Sequence, residues 1–189
     1  NDRRFAQEDS IRKAYMATFI AADGTEKGRL LALSAGNHEV IARFLEDHPD
    51  ARALDLLKSL SNKDMIDVTR PILDDSYNAV DAILCPRVEN EFLSPYKSFF
   101  AGLFGTGLSK EELSVPSNLI RWVQDSITVL RDPKAWSIPM SPIGVYQARM
   151  ADVRSRNIFF VALARTLGID ARKDPVTGKI QYKADGQWV

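Results

Sequence analysis

Histidine and cysteine are nearly missing from this chain, with two of the first and one of the second in 189 residues. The lone Cys85 excludes an intramolecular disulfide. His38 and His48 lie well apart with no acidic pair beside them, so no metal site or cofactor is indicated. An excess of charge of either sign is missing too. Lys+Arg and Asp+Glu are 25 each, with a pI near 6.9, so no global field gathers nucleic acid or an anionic membrane, and no nucleic-acid partner is expected. No apolar run approaches the roughly 20 residues of a membrane-spanning helix. The chain begins at Asn1 without a signal-type apolar segment and stops at Trp188 and Val189 in a strand-like pattern, which reads as a fragment of a longer protein.

What is present is ordinary globular material. A hydrophobic fraction of 45% against 26% charged suffices for one good core or two small ones. The stretch Ser141 to Arg172 organises the rest. Ile158 through Ala164 are unbroken apolar residues, too wide for the stripe of a surface helix, and predict a buried central helix over about 152–167. Asp152 is placed to cap its start and Gly168 to end it.

The preceding chain reads as short helices joined by tight turns. Asp9 or Ser10 is the expected cap of a first helix ending at Ala22-Asp23-Gly24, and Leu30, Leu31 and Leu33 begin a second piece that breaks at Gly36-Asn37. Asn37 and Asp50 are expected caps of the next two. Ser61 with Asp64 is a capping-box-like start, and Thr69-Pro71 opens a helix with a face of Ile72, Leu73, Tyr77, Val80 and Ile83. Pro86 is expected to open an aromatic-faced helix through Val88, Phe92, Leu93, Tyr96, Phe99 and Phe100, read as core. Gly102, Gly105 and Gly107 lack the Lys-Ser/Thr of a phosphate loop and read as a flexible turn. Ser109 with Glu112 makes a capping box, and a helix from Pro116 is expected to run to Leu130. Residues 131–142, with three prolines and Trp136, suit an extended ordered loop. After Gly168 the period changes to that of strands at 171–173, 179–183 and 187 onward, separated by turns at 175–178 and 184–186.

The segment FFVALARTLGIDAR resembles the nucleophile-helix segment of the transglutaminase-like superfamily, a papain-related cysteine-nucleophile fold. Arg165, Gly168, Ile169, Ala171 and Arg172 match its pattern in spacing. Ser141 to Tyr182 is similar to one bacterial branch found in larger cell-envelope proteins, and PRVENEFLSPYKSFF (Pro86 to Phe100) shares that branch's character more weakly. The resemblance implies a mainly α chain: a multi-helical region over 1–132, then from 133 to 189 the central helix and first antiparallel strands of a truncated α+β core. It also implies an extracytoplasmic location, in the periplasm or at the cell surface.

The departures from the family pattern bear on function. The nucleophilic Cys falls at Val153, and the catalytic His, two residues before a Trp, falls at Gly186 if Trp188 is that Trp. Neither can do nucleophile or base chemistry. The resemblance therefore implies a degenerate site used for binding or scaffolding, with a peptide, protein or glycan in the remnant cleft. The alternative is an active cysteine peptidase or acyltransferase completed by residues outside this chain, and a third reading is a helical spacer. Arg149, Arg154 and Arg156 crowd the helix start beside Asp152. They read either as an anion- or carboxylate-binding pocket or as an Arg-Asp network locking the loop to the helix. Trp136 reads as a residue over the cleft or as a plug. Arg165 and Arg172 read as helix-to-sheet ion-pair anchors, and Cys85 as a small buried hydrophobe rather than a relocated nucleophile. Ser155 and Thr166 have no neighbouring base in sequence.

Overall fold

The protein is seen in a computed structural model that describes residues 2–23, 25–79, 83–131 and 138–189, with the backbone alone at 2, 12 and 15–23. Among the described residues it is mainly helical, with eleven α-helices, a three-stranded antiparallel sheet and a two-stranded parallel pair. The chain divides into two compact units, Asn1–Leu73 and Asp74–Val189.

The first unit begins with α1 (Asp2–Asp23), which runs straight through Asp9 and Ser10, so neither caps a start. The side chains of Tyr15, Thr18 and Phe19 lie outside the described residues. α2 (Glu26–Leu33) is capped by the Thr25 hydroxyl and ends before a 3₁₀ turn, Ala35–Asn37. Asn37 precedes α3 (His38–Asp47) but does not cap it. Its Nδ2 donates instead to the carbonyls of Met65 and Val68 at 3.2 and 2.9 Å. The Asp50 carboxylate caps α4 (Ala51–Ser59) through Ala53 N, and the Ser61 hydroxyl caps α5 (Asn62–Asp67) through Asp64 N. Ile41, Phe44, Ala53, Leu56, Leu57, Met65 and Val68 are buried here.

α6 (Arg70–Asn78) contains the division between units; Val80 of its expected face lies outside the described residues, and Ile83 is past the helix. The helix expected from Pro86 does not form before α7 (Tyr96–Ala101). The Glu91 carboxylate takes the backbone N–H groups of Val88 and Glu89 at 2.7 and 2.9 Å, and Arg87 Nη1 donates to the Glu91 carbonyl. These local bonds give the backbone a partner other than a helical one. Phe92, placed on the expected buried face, is 69% exposed, whereas Tyr96 and Phe100 are in the core as read. Asp75 caps α7, accepting Lys97 N at 3.0 Å and Ser98 N at 2.7 Å.

The glycine-rich turn is closed by Gly105 N donating to the Leu108 carbonyl and by Gly107 N and Leu108 N donating to that of Leu103. The Ser109 hydroxyl, accepting Glu112 N, caps α8 (Lys110–Leu113), and Pro116 opens α9 (Pro116–Ser126). α9 stops short of Leu130. Thr128–Val129 form β1, parallel to β2 (Met150–Ala151), with Thr128 N donating to the Arg149 carbonyl and Leu130 N to that of Ala151, both at 2.9 Å. Three β-branched residues in a row, Ile127 to Val129, favour that extended exit. α10 (Pro142–Ala148), capped by Ser141, lies in the stretch between.

α11 (Val153–Thr166) is the central helix; Ile158 through Ala164 are all buried, and Phe159 through Ala164 share one core with Tyr96, Phe100, Leu119, Val123 and Val145. Helices α7, α9 and α10 pack on α11. The phenyl rings of Phe100 and Phe159 meet edge to face with centroids 5.7 Å apart. Leu167 is the C-cap and Gly168 takes φ +82°, with Ile169 N bonded to the Ala164 carbonyl and Gly168 N to that of Arg165. That pair of bonds is a Schellman motif. The chain then forms a meander of β3 (Ala171–Lys173), β4 (Ile180–Ala184) and β5 (Gln187–Trp188), where the sequence predicted strands. Asp185 and Gly186, with φ +50° and +78°, make the two-residue turn before β5.

Candidate functional site

The start of α11 is the place where the sequence put a degenerate nucleophile. Val153 is its first residue and is 53% exposed. Asp152 caps it: Oδ1 accepts Ser155 N at 3.0 Å, and Oδ2 accepts the Ser155 hydroxyl at 2.6 Å. Burial pushes the Asp152 carboxyl up, but the Ser155 hydroxyl and backbone N–H outweigh it and hold the group below the usual carboxylate value. The fully buried Ser155 Oγ also accepts Met140 N at 3.0 Å. Its hydrogen is thus committed to Asp152, and a lone pair ties Met140 to the helix. Among the described residues no group of three His, Cys, Asp or Glu is placed to hold a metal ion. Both histidines lie in the first unit, and the second, Asp74–Val189, contains none.

The three arginines do not converge. Arg149 ends α10 at φ +55° and lays its guanidinium over the rings of Tyr146 and Trp122, 4.2 and 5.7 Å from their centroids. Arg154 Nε donates to Glu89 Oε1 at 2.8 Å, and Lys173 Nζ from β3 reaches the same oxygen at 2.7 Å. Arg156 Nη2 has Asn157 Oδ1 at 3.5 Å. Each of the three guanidiniums therefore has its own partner. Nor do they form a network with Asp152, whose partners are Ser155 and the helix backbone. Trp136 lies outside the described residues. Gly186 sits in the tight turn, with nothing within 4 Å of a Cβ built on it.

Arg165 anchors helix to sheet, though through backbone carbonyls rather than carboxylates, whereas Arg172, on β3, makes its contacts within the sheet and not to the helix. Arg165, 5% exposed, donates from Nε to the Ala171 carbonyl at 2.9 Å and from Nη1 to the carbonyls of Cys85 and Arg87 at 3.1 and 3.2 Å. Arg172 donates to Gln181 Oε1 and stacks on Trp188, its Cζ 4.0 Å from the ring centroid. Cys85 is half-buried, and its backbone is one of the Arg165 contacts.

Arg156 instead lines a groove of about 230 Å³ between α9, α11 and β4. α9 contributes Ile120, Val123 and Gln124; α11 adds Asn157 and Phe160 beside Arg156; β4 supplies Ile180 and Tyr182. Val153, Arg156, Asn157 and Phe160 follow helical spacing, so the degenerate position and the groove share one face of α11. Apart from Arg156, the sequence reading named no groove residue as a site. Each element carried its own signal: 120, 123 and 124 on one helix, 156, 157 and 160 on another, and the alternate residues 180 and 182 on a strand. Their meeting is a tertiary fact. No helix among the described residues is long and apolar enough to cross a membrane.

Comparison with protein-family models, with curated proteins and with solved structures gave no match.

Proposed function

We propose that this chain is a catalytically degenerate transglutaminase-like domain that binds or scaffolds within a larger extracytoplasmic bacterial protein. The observation that carries the reading is the exposed Val153 at the first position of α11. The motif Arg165-x-x-Gly168-Ile169-x-Ala171-Arg172 places a cysteine nucleophile there in the family it resembles. Nucleophile chemistry needs a thiolate and a base within hydrogen-bond reach, and the unit that carries Val153 has no histidine. The groove along the same helix face supports a retained ligand, a peptide, protein segment or glycan. The extracytoplasmic setting rests on the family resemblance alone.

The test is a paired assay on the intact chain. Glutamine-containing peptides and an amine acceptor should give no ammonia release above buffer, while an immobilised peptide and glycan panel should show saturable binding. Turnover that scales with protein and disappears in Ser155→Ala would overturn the reading.

A further inference from the structure

The groove between α9, α11 and β4 joins an apolar body to a cation, with no carboxylate among the residues that line it. Phe160, Val123 and Ile180 give it apolar walls, and Arg156 stands in it half-buried. The other arginine of this helix turn, Arg154, has a carboxylate partner in Glu89, whereas among the described residues Arg156 makes only the 3.5 Å contact to the neutral Asn157 amide. A guanidinium presents five donors in a fixed fork suited to a carboxylate. The size limits the ligand further. A dry cavity of roughly 150 Å³ takes a benzene ring, so about 230 Å³ holds one apolar side chain and a small polar group, not a long ligand.

We infer that this groove captures an α-carboxylate attached to a single apolar side chain, with Arg156 and Asn157 on the carboxylate and Phe160, Val123 and Ile180 on the side chain. This inference rests on the binding-domain reading and gives it a ligand class. Two sources share the chemistry: the C-terminal residue of a peptide and a free amino acid. A peptide terminus fits better, because the open groove leaves room for the preceding residues outside it and supplies no carboxylate for a free amino group.

The experiment uses the intact chain and three probes: N-acetyl-Ala-Ala-Leu with a free C-terminus, the same peptide as its C-terminal amide, and free L-leucine. Calorimetry gives affinities and ¹⁵N-resolved spectra locate them. The free acid should saturate, with shifts centred on Asn157, Phe160 and Ile180. The amide and the variant Arg156→Gln should each weaken binding at least about tenfold, the scale of a lost hydrogen bond to a charged group. Arg156→Lys should retain part of the affinity, and Arg121→Gln, outside the groove, should retain all of it. Binding of L-leucine as tight as the peptide acid assigns the ligand to free amino acids; weaker binding assigns it to chain termini. Equal binding of acid and amide, or an unaltered Arg156→Gln, overturns the inference while leaving the binding-domain reading intact. No saturable binding of any probe overturns it as well, and the turnover assay then decides the broader reading separately.

Discussion

Arg165 and Ala171 hold the end of the central helix to the first strand, the buried Nε of one donating to the carbonyl of the other at 2.9 Å. The same guanidinium serves the carbonyls of Cys85 and Arg87, so three backbone acceptors from two segments depend on one side chain. Arg165→Met keeps much of the volume and orphans all three. Buried acceptors left unpaired cost about 1–3 kcal/mol each before relaxation, and we expect a net loss of about 3 kcal/mol. Arg165→Lys should recover little, because an ammonium cannot reproduce the fork. All three tryptophans lie in the second unit, so indole fluorescence in a urea titration reads that unit's stability. A loss below 1 kcal/mol would contradict the assigned role.

Asp152 ties helix stability to acid pH. Its folded carboxyl is held below the ordinary value near ~4. A depressed carboxyl stabilises the fold above its unfolded value, and the contribution fades as pH falls through the folded one. Asp152→Ala should therefore cost about 1–2 kcal/mol at neutral pH, the usual scale of a lost N-cap, and progressively less below pH ~4. Asp152→Asn, which still caps, should cost less at neutral pH. Urea midpoints measured across that range check both statements, and a pH-independent gap between wild type and Asp152→Asn would refute the electrostatic part.

Val153→Cys, made with Cys85→Ser, places a thiol on an exposed first helical position. Helix N-termini favour thiolates, so the new cysteine should label with a disulfide reagent at least about tenfold faster at neutral pH than the half-buried Cys85 of the native chain. Amide turnover should remain at background, since no histidine stands in that unit to act as base. Stopped-flow labelling and ammonia release are the two readouts, and turnover in this variant would show that a base reaches the site.

Gly186 takes the histidine's place in the proposed family alignment if Trp188 is that family's Trp, and its φ of +78° makes any side chain there conformationally costly. Nothing lies within 4 Å of an added Cβ, so the cost is one of backbone rather than collision. Gly186→Ala and Gly186→His should each destabilise by about 1 kcal/mol. A histidine substitution that stabilises the protein would mean that this turn takes up a different backbone.

Much of the fold was legible because local signals were strong. The run Ile158 to Ala164, the caps Asp50, Ser61, Ser109 and Asp152, and the turns at 175–178 and 184–186 each state their structure within a few residues. The misreadings occur where side chains bind elsewhere. Asn37 looks like a cap but holds Met65 and Val68, and Glu91 folds the 88–91 backbone away from the helix that its aromatic spacing suggested. The arginines around Asp152 were visible as a crowd. Their destinations were not, since Glu89 lies far upstream in sequence and the rings under Arg149 come from α9 and α10.

The carboxylate of Glu89 is gripped twice, by Arg154 and by Lys173. Either cation can be lost to a point mutation and the acid keeps a partner, so positions 154 and 173 are free to drift one at a time. Losing both strands a largely buried negative charge, and the second change is then far more damaging than the first. The two sites are epistatic through a third, and lineages that have spent one of these cations would hold the other fixed.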